Sequence, residues 1–371
     1  MSNQSAVIVF GMGPAGLFLS RQLKKMNAKI YGIGKSDDIG RYSNTLTKYY
    51  AAESKKKVEK AIFGILNEVE NKPVAYICSD QYLTLFIEEY PIVFNLIDFI
   101  EPQEHLLRLI AAKDDLIQYC KALGMRFPDE YDVADLEHLS YPIAIKPNLK
   151  HGTSPIKKIN FINNKQELLD ILSYSENKEL YKEDLLLQKV IAGNNQFEYG
   201  YGGYFKNGKP VNVVYFIQAR QYPQGVSCYT IELSDKNIMD EIGRQTDLFI
   251  QATNYSGFLQ FDLKKDSLTG EMYVLDINPR PWGSIGMLKS KCSESVFLPS
   301  ASSKMKICWR FPLKEIMSVK NKKNLSYKKC RELKNEGEYV TTIDLFDKSD
   351  LKPFFMQPVI MILKLFKMSR H

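Results

Sequence analysis

The chain has 371 residues, 44% hydrophobic and 25% charged, with 50 Lys and Arg against 43 Asp and Glu. That length and mix imply two or three packed units with ample buried core and exclude wholesale disorder. The net charge of +7 is unevenly placed, because residues 301–371 carry 16 Lys and Arg against 7 Asp and Glu while residues 1–300 carry 34 against 36, so any argument for nucleic acid or anionic membrane belongs to the tail alone.

From the N-terminus, AVIVF reads as a buried strand, GMGPAG as a turn, LFLSRQLKKM as an amphipathic helix and AKIYGIG as the next strand. This alternation argues for a parallel α/β layer, which PVAYICSD and YPIVFNLI continue. Gly11, Gly13 and Gly16 match GxGxxG between a strand and a helix, which is either a pyrophosphate site or a tight turn that glycine makes sterically possible. A NAD site needs an acid at the end of the second strand. That strand runs out through Gly34, Lys35 and Ser36 with no acid before Asp37, which favours the plain turn. Lys35 keeps an NAD(P)-dependent oxidoreductase as a third functional reading.

Near residue 101 the texture changes. PQEHLLRLIAAKDDLIQYCKALG reads as one helix ending at Gly124, followed by the strand YPIAIKP, a polar loop over 148–158, the helix QELLDILSY and the strand DLLLQKVIAG. Beyond it, EYGYGGYF, PVNVVYFIQAR, GFLQFDLKK and MYVLDIN read as long antiparallel strands, the last two joined by DSLTG as a hairpin. NKKNLSYKKC reads as a solvated basic segment, and the chain closes on the apolar run PFFMQPVIMILKLF.

The hairpin carries the strongest chemical signal. Period two puts Asp276 and Asn278 on one face of their strand, and the turn brings Asp262 alongside. Three oxygen ligands on adjacent strands suit Mg²⁺, with Mn²⁺ as a substitute; such hard cations take their remaining ligands from water and phosphate. Carboxylates among apolar neighbours are costly unless something pairs them. Arg280 follows within reach of the same phosphates, with a planar fork suited to a phosphoryl group.

An acid on one strand followed by DINPRPWG on the next resembles the ATP-grasp superfamily, closest to its carbamoyl-phosphate-synthase-like branch of carboxylate–amine ligases; the likeness extends over residues 7–282. The resemblance implies an α/β and α+β chain. Its parts are a Rossmann-like N-terminal domain (1–100), a small lid subdomain (101–192), a C-terminal antiparallel-sheet subdomain with the Mg-ATP site (193–300) and a basic extension ending in an apolar helix (301–371). It also implies roles residue by residue. Lys113 in AAKDDLIQYCKALGMRFP touches the nucleotide phosphates, and Lys146 in YPIAIKP holds the α-phosphate. In DLLLQKVIAG the backbone of Gln188 and Ile191 meets the adenine edge, with Glu198 near the ribose, and Arg220 in ARQYPQG is a phosphate or acyl-phosphate ligand. Two departures stand out. The loop NLKHGTSPIKK has a single glycine, Gly152, with Lys150, Thr153 and Lys157 to supplement it, and both metal acids are Asp where one Glu is expected.

The implied chemistry is physically coherent. A carboxylate is a poor electrophile; phosphorylation by ATP converts it to an acyl phosphate, which an amine attacks to give an amide. The expected activity is therefore an ATP-dependent carboxylate–amine ligase taking small-molecule acids and amines, with amino acids or sugar acids of cell-envelope or secondary metabolism suggested by analogy. The alternative is a catalytically degenerate nucleotide-binding protein with a regulatory or assembly role. Arg41 either holds an acidic substrate or caps a helix. Tyr199, Tyr201 and Tyr204 are expected to pack one sheet face.

Six scattered cysteines without a CxxC pair, four separated histidines and no signal peptide fit free thiols in a cytoplasmic protein without a zinc site. No stretch approaches the ~18 apolar residues of a spanning helix. The apolar C-terminal run is expected to dock on the body. A peripheral contact at the inner face of a membrane, through Lys364, Lys367 and Arg370, is the other reading, and a homodimer is left open. No aromatic–basic interleaving in the tail points to nucleic acid.

Overall fold

The computed structural model describes residues 5–88, 95–99, 102–132, 139–148, 159–176, 185–290, 295–299, 305–334, 338–343 and 345–368. Near the N-terminus, β1 (Ala6–Phe10), β2 (Lys29–Gly34), β3 (Lys48–Ala51) and β4 (Val74–Ile77) form a parallel sheet in the order β3-β2-β1-β4. The helices α1 (Pro14–Lys25), α2 (Lys55–Leu66) and α3 (Asp80–Glu88) alternate with them. Pro14 starts α1 where a missing N–H costs nothing. Most of YPIVFNLI lies outside the described residues. Its described end is not strand but leads into a single parallel bridge, Val74 to Asp98, at the sheet edge. Phe10 and Phe86 pack edge-on, 4.5 Å between centroids, in the core between sheet and helices.

The expected single helix after residue 101 is two, Glu104–Ala111 and Lys113–Ala122. Ala112 between them is extended (φ −80°, ψ 90°), and the Lys113 N–H is donated to Asn148 Oδ1 at 3.2 Å. The break puts Lys113 on the first turn of a new helix. The next layer is antiparallel, β5 (Glu130–Tyr131), β6 (Ile143–Pro147), β7 (Asn160–Ile162) and β8 (Leu185–Lys189) in the order β5-β8-β6-β7, closed by the helix Lys165–Glu176. Ile143, Ile145, Ile162, Leu168 and Leu187 fill its own small core.

The third layer is a seven-stranded sheet, β13-β12-β9-β10-β11-β14-β15. Its strands are β9 (Glu198–Lys206), β10 (Lys209–Gln221), β11 (Ser227–Glu232), β12 (Gly257–Lys265), β13 (Met272–Asn278), β14 (Lys306–Arg310) and β15 (Tyr339–Ile343). One face carries the helix Lys236–Ala252, whose Phe249 packs with Tyr201, Phe205 and Phe261 of the sheet. The other meets the N-terminal domain, where Tyr204, Phe216, Phe258 and Trp282 pack with Phe18 and Leu19 of α1. Burying each ring contributes about 1.5–3 kcal/mol, so both faces hold the sheet firmly. The tyrosines expected on one face divide between two: Tyr199 and Tyr201 lie with the helix, Tyr204 with the N-terminal domain, as odd and even positions of a strand must.

The sheet does not stop at residue 300. β14 pairs antiparallel with β11, and β15 parallel with β14, so the charge-rich tail supplies two of the seven strands. The segment NKKNLSYKKC is likewise not merely solvated, since Leu325 and Cys330 are buried beside Ala219 and Tyr229. The tail then crosses to the N-terminal domain. Buried Asp350 accepts from Arg21 Nε at 2.9 Å, Ser43 Oγ at 2.7 Å and the Asn44 N–H at 3.0 Å. The final helix, Lys352–Met368, docks Ile360 against Leu17, Ile39 and Leu345 and leaves Phe355, Val359 and Ile362 exposed. Among the described residues no helix is long and apolar enough to cross a membrane, and five cysteines are free and buried.

Candidate active site

The site grows out of one sheet face. On β12 the period-two set runs Phe258, Gln260, Asp262, Lys264, and on β9 it runs Tyr204, Gly202, Gly200, Glu198, paired in that order. The face thus turns along both strands from aromatic, against the N-terminal domain, to polar. Gly200 lets the sheet stay bare beside Asp262, because a Cβ there would stand 2.2 Å from the Phe216 ring. Across the hairpin Asp262 faces Asp276 and Gln260 faces Asn278. Leu275 is the extra residue of a β-bulge, since Asp262 pairs with Asp276 but Leu263 with Val274.

Two lysines reach this face, one from the helix Lys113–Ala122 and one from β6. Lys113 Nζ lies 2.6 Å from Asp276 Oδ1 and donates to the Ile277 carbonyl at 3.2 Å. Lys146 on β6 donates to the bulged Leu275 carbonyl at 2.7 Å and to Gln188 Oε1, on neighbouring β8, at 2.8 Å. The Gln188 amide nitrogen is buried and has no hydrogen-bond partner among the described residues. An orphaned buried donor costs about 1–3 kcal/mol, which an acceptor on a bound molecule would recover.

The charges are tuned by this enclosure. Burial, with Asp276 opposite, pushes the Asp262 carboxyl up to about 6 against the opposing amide bonds from Gln260 (2.5 Å) and Gln218 (2.6 Å). Burial also pulls Lys146 down to about 8, the nearby aspartates holding it up and Lys113 lowering it further. Asn278 Nδ2 donates to Gln260 Oε1 at 3.0 Å. Two opposed carboxylates beside an amide fit a hard divalent cation. Among the described residues no group of three or more His, Cys, Asp or Glu could hold a metal ion, so water and phosphate must complete any such shell.

No family model matches the sequence, and no curated protein does. Solved structures do match. One is the biotin carboxylase domain of the 2-oxoglutarate carboxylase of Hydrogenobacter thermophilus, solved with MgADP, ADP and bicarbonate, at 16% identity over 80% of this chain and 68% of that one, with TM-score 0.61. A second is an L-amino acid ligase from Bacillus licheniformis, at 14% identity over 81% and 74%, with TM-score 0.60. A third is the N5-carboxyaminoimidazole synthetase of Staphylococcus aureus complexed with ADP, at 18% identity over 81% and 76%, with TM-score 0.59. The chain has the ATP-grasp fold.

Within that fold, Lys113, Lys146, Gln188, Asp262, Asp276 and Asn278 come together as one constellation. Ile191 is buried just beyond β8, where Gly193 (φ +113°) turns the chain tightly enough that a Cβ would meet Phe197 at 2.9 Å. Glu198 is on the same face but already engaged: Lys264 Nζ donates to it at 2.9 Å and Gln221 Nε2 at 2.5 Å, all three buried. Removing one partner of such a pair typically costs about 3–5 kcal/mol, so Glu198 is first a structural charge.

Arg220 is not an arm of the site in this structure. It is buried, donates through Nε and Nη2 to Ser318 Oγ (3.1 and 2.9 Å) and through Nη1 to the Leu325 carbonyl (2.7 Å), and lies 4.4 Å from the Tyr327 ring centroid. Its place on β10 follows from the sequence, but the tail that captures it was read as solvated. Arg280 lies next to the constellation, clamped by Asp80. Arg41 donates to the Ser36 carbonyl and lies 5.4 Å from the Tyr42 ring centroid. Lys150, Gly152, Thr153 and Lys157 lie outside the described residues.

Sequence reasoning missed Gln218, Gln260, Lys264 and Asp80. Gln260 and Lys264 follow from period two once Asp262 is fixed, and Gln218 from the same period, two residues before Arg220 on β10. Asp80 follows from the rule that sites gather beyond the carboxyl ends of parallel strands, here β4.

In the glycine loop after β1 the Met12 amide and carbonyl are both engaged. Asp38 Oδ2 accepts the N–H groups of Met12 at 3.0 Å and Lys35 at 2.9 Å, while the Gly40 N–H is donated to the Met12 carbonyl at 2.7 Å. Gly16 is required by contact, since a Cβ would stand 2.2 Å from the Gly11 carbonyl oxygen.

Proposed function

We propose that this protein is an ATP-dependent carboxylate–amine ligase. The observation that carries the reading is the Lys113, Lys146, Asp262, Asp276 cluster at the junction of lid and sheet, with the orphaned Gln188 amide beside it. The ligands named in two neighbours, MgADP and ADP, agree with it. Asp262, Asp276 and Asn278 would hold a divalent cation, which would supply charge neutralisation to the polyphosphate. Lys113 and Lys146 would exchange their present carbonyl and carboxylate partners for phosphate oxygens. Arg280 would hold the transferred phosphoryl group. The Gln188 side chain and the backbone through Ile191 would receive the base.

In the first step the bond between the γ-phosphorus and its bridging oxygen breaks, ADP departs, and a substrate carboxylate oxygen joins the phosphorus. In the second an amine nitrogen attacks the acyl carbon, phosphate leaves with the C–O bond pair, and the nitrogen gives up its proton to solvent. The chain's part is positioning and charge, not covalent catalysis. Amino acids and sugar acids form the first pool to try.

The test is phosphate release from ATP by the full chain with Mg²⁺ and a mixed pool of carboxylates and amines, compared with Asp276→Ala. Pool-dependent release lost in the variant supports the ligase. Nucleotide binding without release from any pool favours the non-catalytic alternative, and absence of Mg²⁺-dependent nucleotide binding sinks both.

A further inference from the structure

Arg280 follows Asn278 by two residues, yet its orientation is set by another domain. Asp80, the first residue of α3, takes its side-on edge: Nε donates to Oδ1 at 2.5 Å and Nη2 to Oδ2 at 2.6 Å. Nη1 donates to the Pro281 carbonyl at 3.2 Å. A guanidinium has five N–H groups in one plane. Three are used, so one hydrogen on each terminal nitrogen has no partner among the described residues. The pair is unequally exposed, the Arg280 side chain at 19% and that of Asp80 at 58%. Burial pushes the Asp80 carboxyl up, but the charge and hydrogen bonds of Arg280 outweigh it and hold the group below the usual carboxylate range.

We propose that Asp80 is a positioning residue, which fixes the Arg280 guanidinium by its side-on edge and leaves one N–H on each terminal nitrogen for the phosphoryl group of the reaction. This rests on the ligase reading for the identity of that group. A bidentate pair fixes a plane, whereas one hydrogen bond lets the guanidinium swing. The N-terminal domain would thereby set the geometry of a residue borne by the ATP-binding sheet.

The experiment uses the full chain in four forms, wild type, Asp80→Asn, Asp80→Glu and Arg280→Lys, with the Asp80→Asn/Arg280→Lys double variant. Thermal melts establish that each is folded. In ¹⁵N-arginine-labelled protein the Arg280 Nε–H signal, assigned by its loss in Arg280→Lys, should exchange about tenfold faster in Asp80→Asn than in wild type. Inorganic phosphate added with MgADP should shift it in wild type and much less in Asp80→Asn. Turnover on the mixed pool should fall about 10–100-fold in Asp80→Asn without a matching rise in KM for the acid, recover partly in Asp80→Glu, and fall no further in the double variant than in Arg280→Lys. Unchanged exchange, an equal phosphate shift in Asp80→Asn, or additive losses in the double variant would overturn the clamp. A wild type that turns over nothing while its Nε–H signal still needs Asp80 to respond to phosphate defeats the ligase reading and leaves the clamp standing.

Discussion

In the glycine loop after β1, polar groups at the strand end are already paired with one another: Asp38 takes the Met12 and Lys35 N–H groups, and Met12 in turn accepts from Gly40. In the β12–β13 hairpin the balance runs the other way. Asp262 and Asp276 face each other across a strand pair, Lys113 and Lys146 lean in from neighbouring elements, and a buried Gln188 donor has no partner among the described residues. Both motifs look phosphate-related as strings of letters. What separates them is whether the protein satisfies its own polar groups there, because a satisfied loop gains little from a ligand and an unsatisfied cluster gains much.

The sharpest way to break that contrast is to remove one carboxylate of the hairpin. Asp276→Ala should weaken Mg²⁺-dependent nucleotide binding by about 100-fold or more, read by calorimetric titration with MgADP. The fold should survive, since the Asp276 side chain is 35% exposed. An unchanged affinity would mean that the hairpin is no more a ligand site than the glycine loop.

A change in the loop should have the opposite profile. Gly16→Ala puts a methyl group 2.2 Å from the Gly11 carbonyl oxygen, a backbone atom that cannot swing aside. The expected loss is about 1–3 kcal/mol of stability by denaturant titration, with MgADP affinity of the folded protein unchanged. A loss of nucleotide affinity without loss of stability would overturn the division between the two regions.

How much of this was legible beforehand depended on how local each cause is. The hairpin was readable because period two and a short turn fix which side chains share a face. The split of Tyr199 and Tyr201 from Tyr204 was readable by the same rule and was overlooked. The break at Ala112 was not readable, because neither neighbouring residue is a helix breaker and Asn148, which receives the Lys113 N–H, is distant in sequence. The surroundings of Arg220 were not readable for a similar reason. Its partners Ser318, Leu325 and Tyr327 lie about a hundred residues away, in a segment whose lysines suggested solvent while its single leucine and cysteine were buried. Charge counts describe the surface of such a segment, not the face it turns inward.

Lys146 offers a milder test, through pH. Its ammonium, lowered to about 8 chiefly by burial, is fully charged below that value and is lost as pH rises through it. Affinity for ATP should therefore fall by up to about tenfold per pH unit above 8 in the free protein's range, with bound phosphate moving the midpoint upward. Lys146→Arg stays charged throughout and should flatten the profile. A profile that is flat in wild type would place the phosphates away from Lys146.

The smallest expected effect returns to the loop. Asp38→Asn keeps the shape of the side chain but replaces a charged acceptor of two amides with a neutral one, so the cost should be about 1 kcal/mol. Opening the loop in this way should not create a dinucleotide site. The carboxylate stands where the amides would meet a phosphate, yet the second strand still ends in Gly34 without an acid to hold a ribose. Fluorescence titration with NADPH should accordingly show no binding to wild type or variant. Binding to Asp38→Asn alone would mean that the loop is a dinucleotide site held shut by its own aspartate, and saturable binding to wild type would restore the oxidoreductase reading outright.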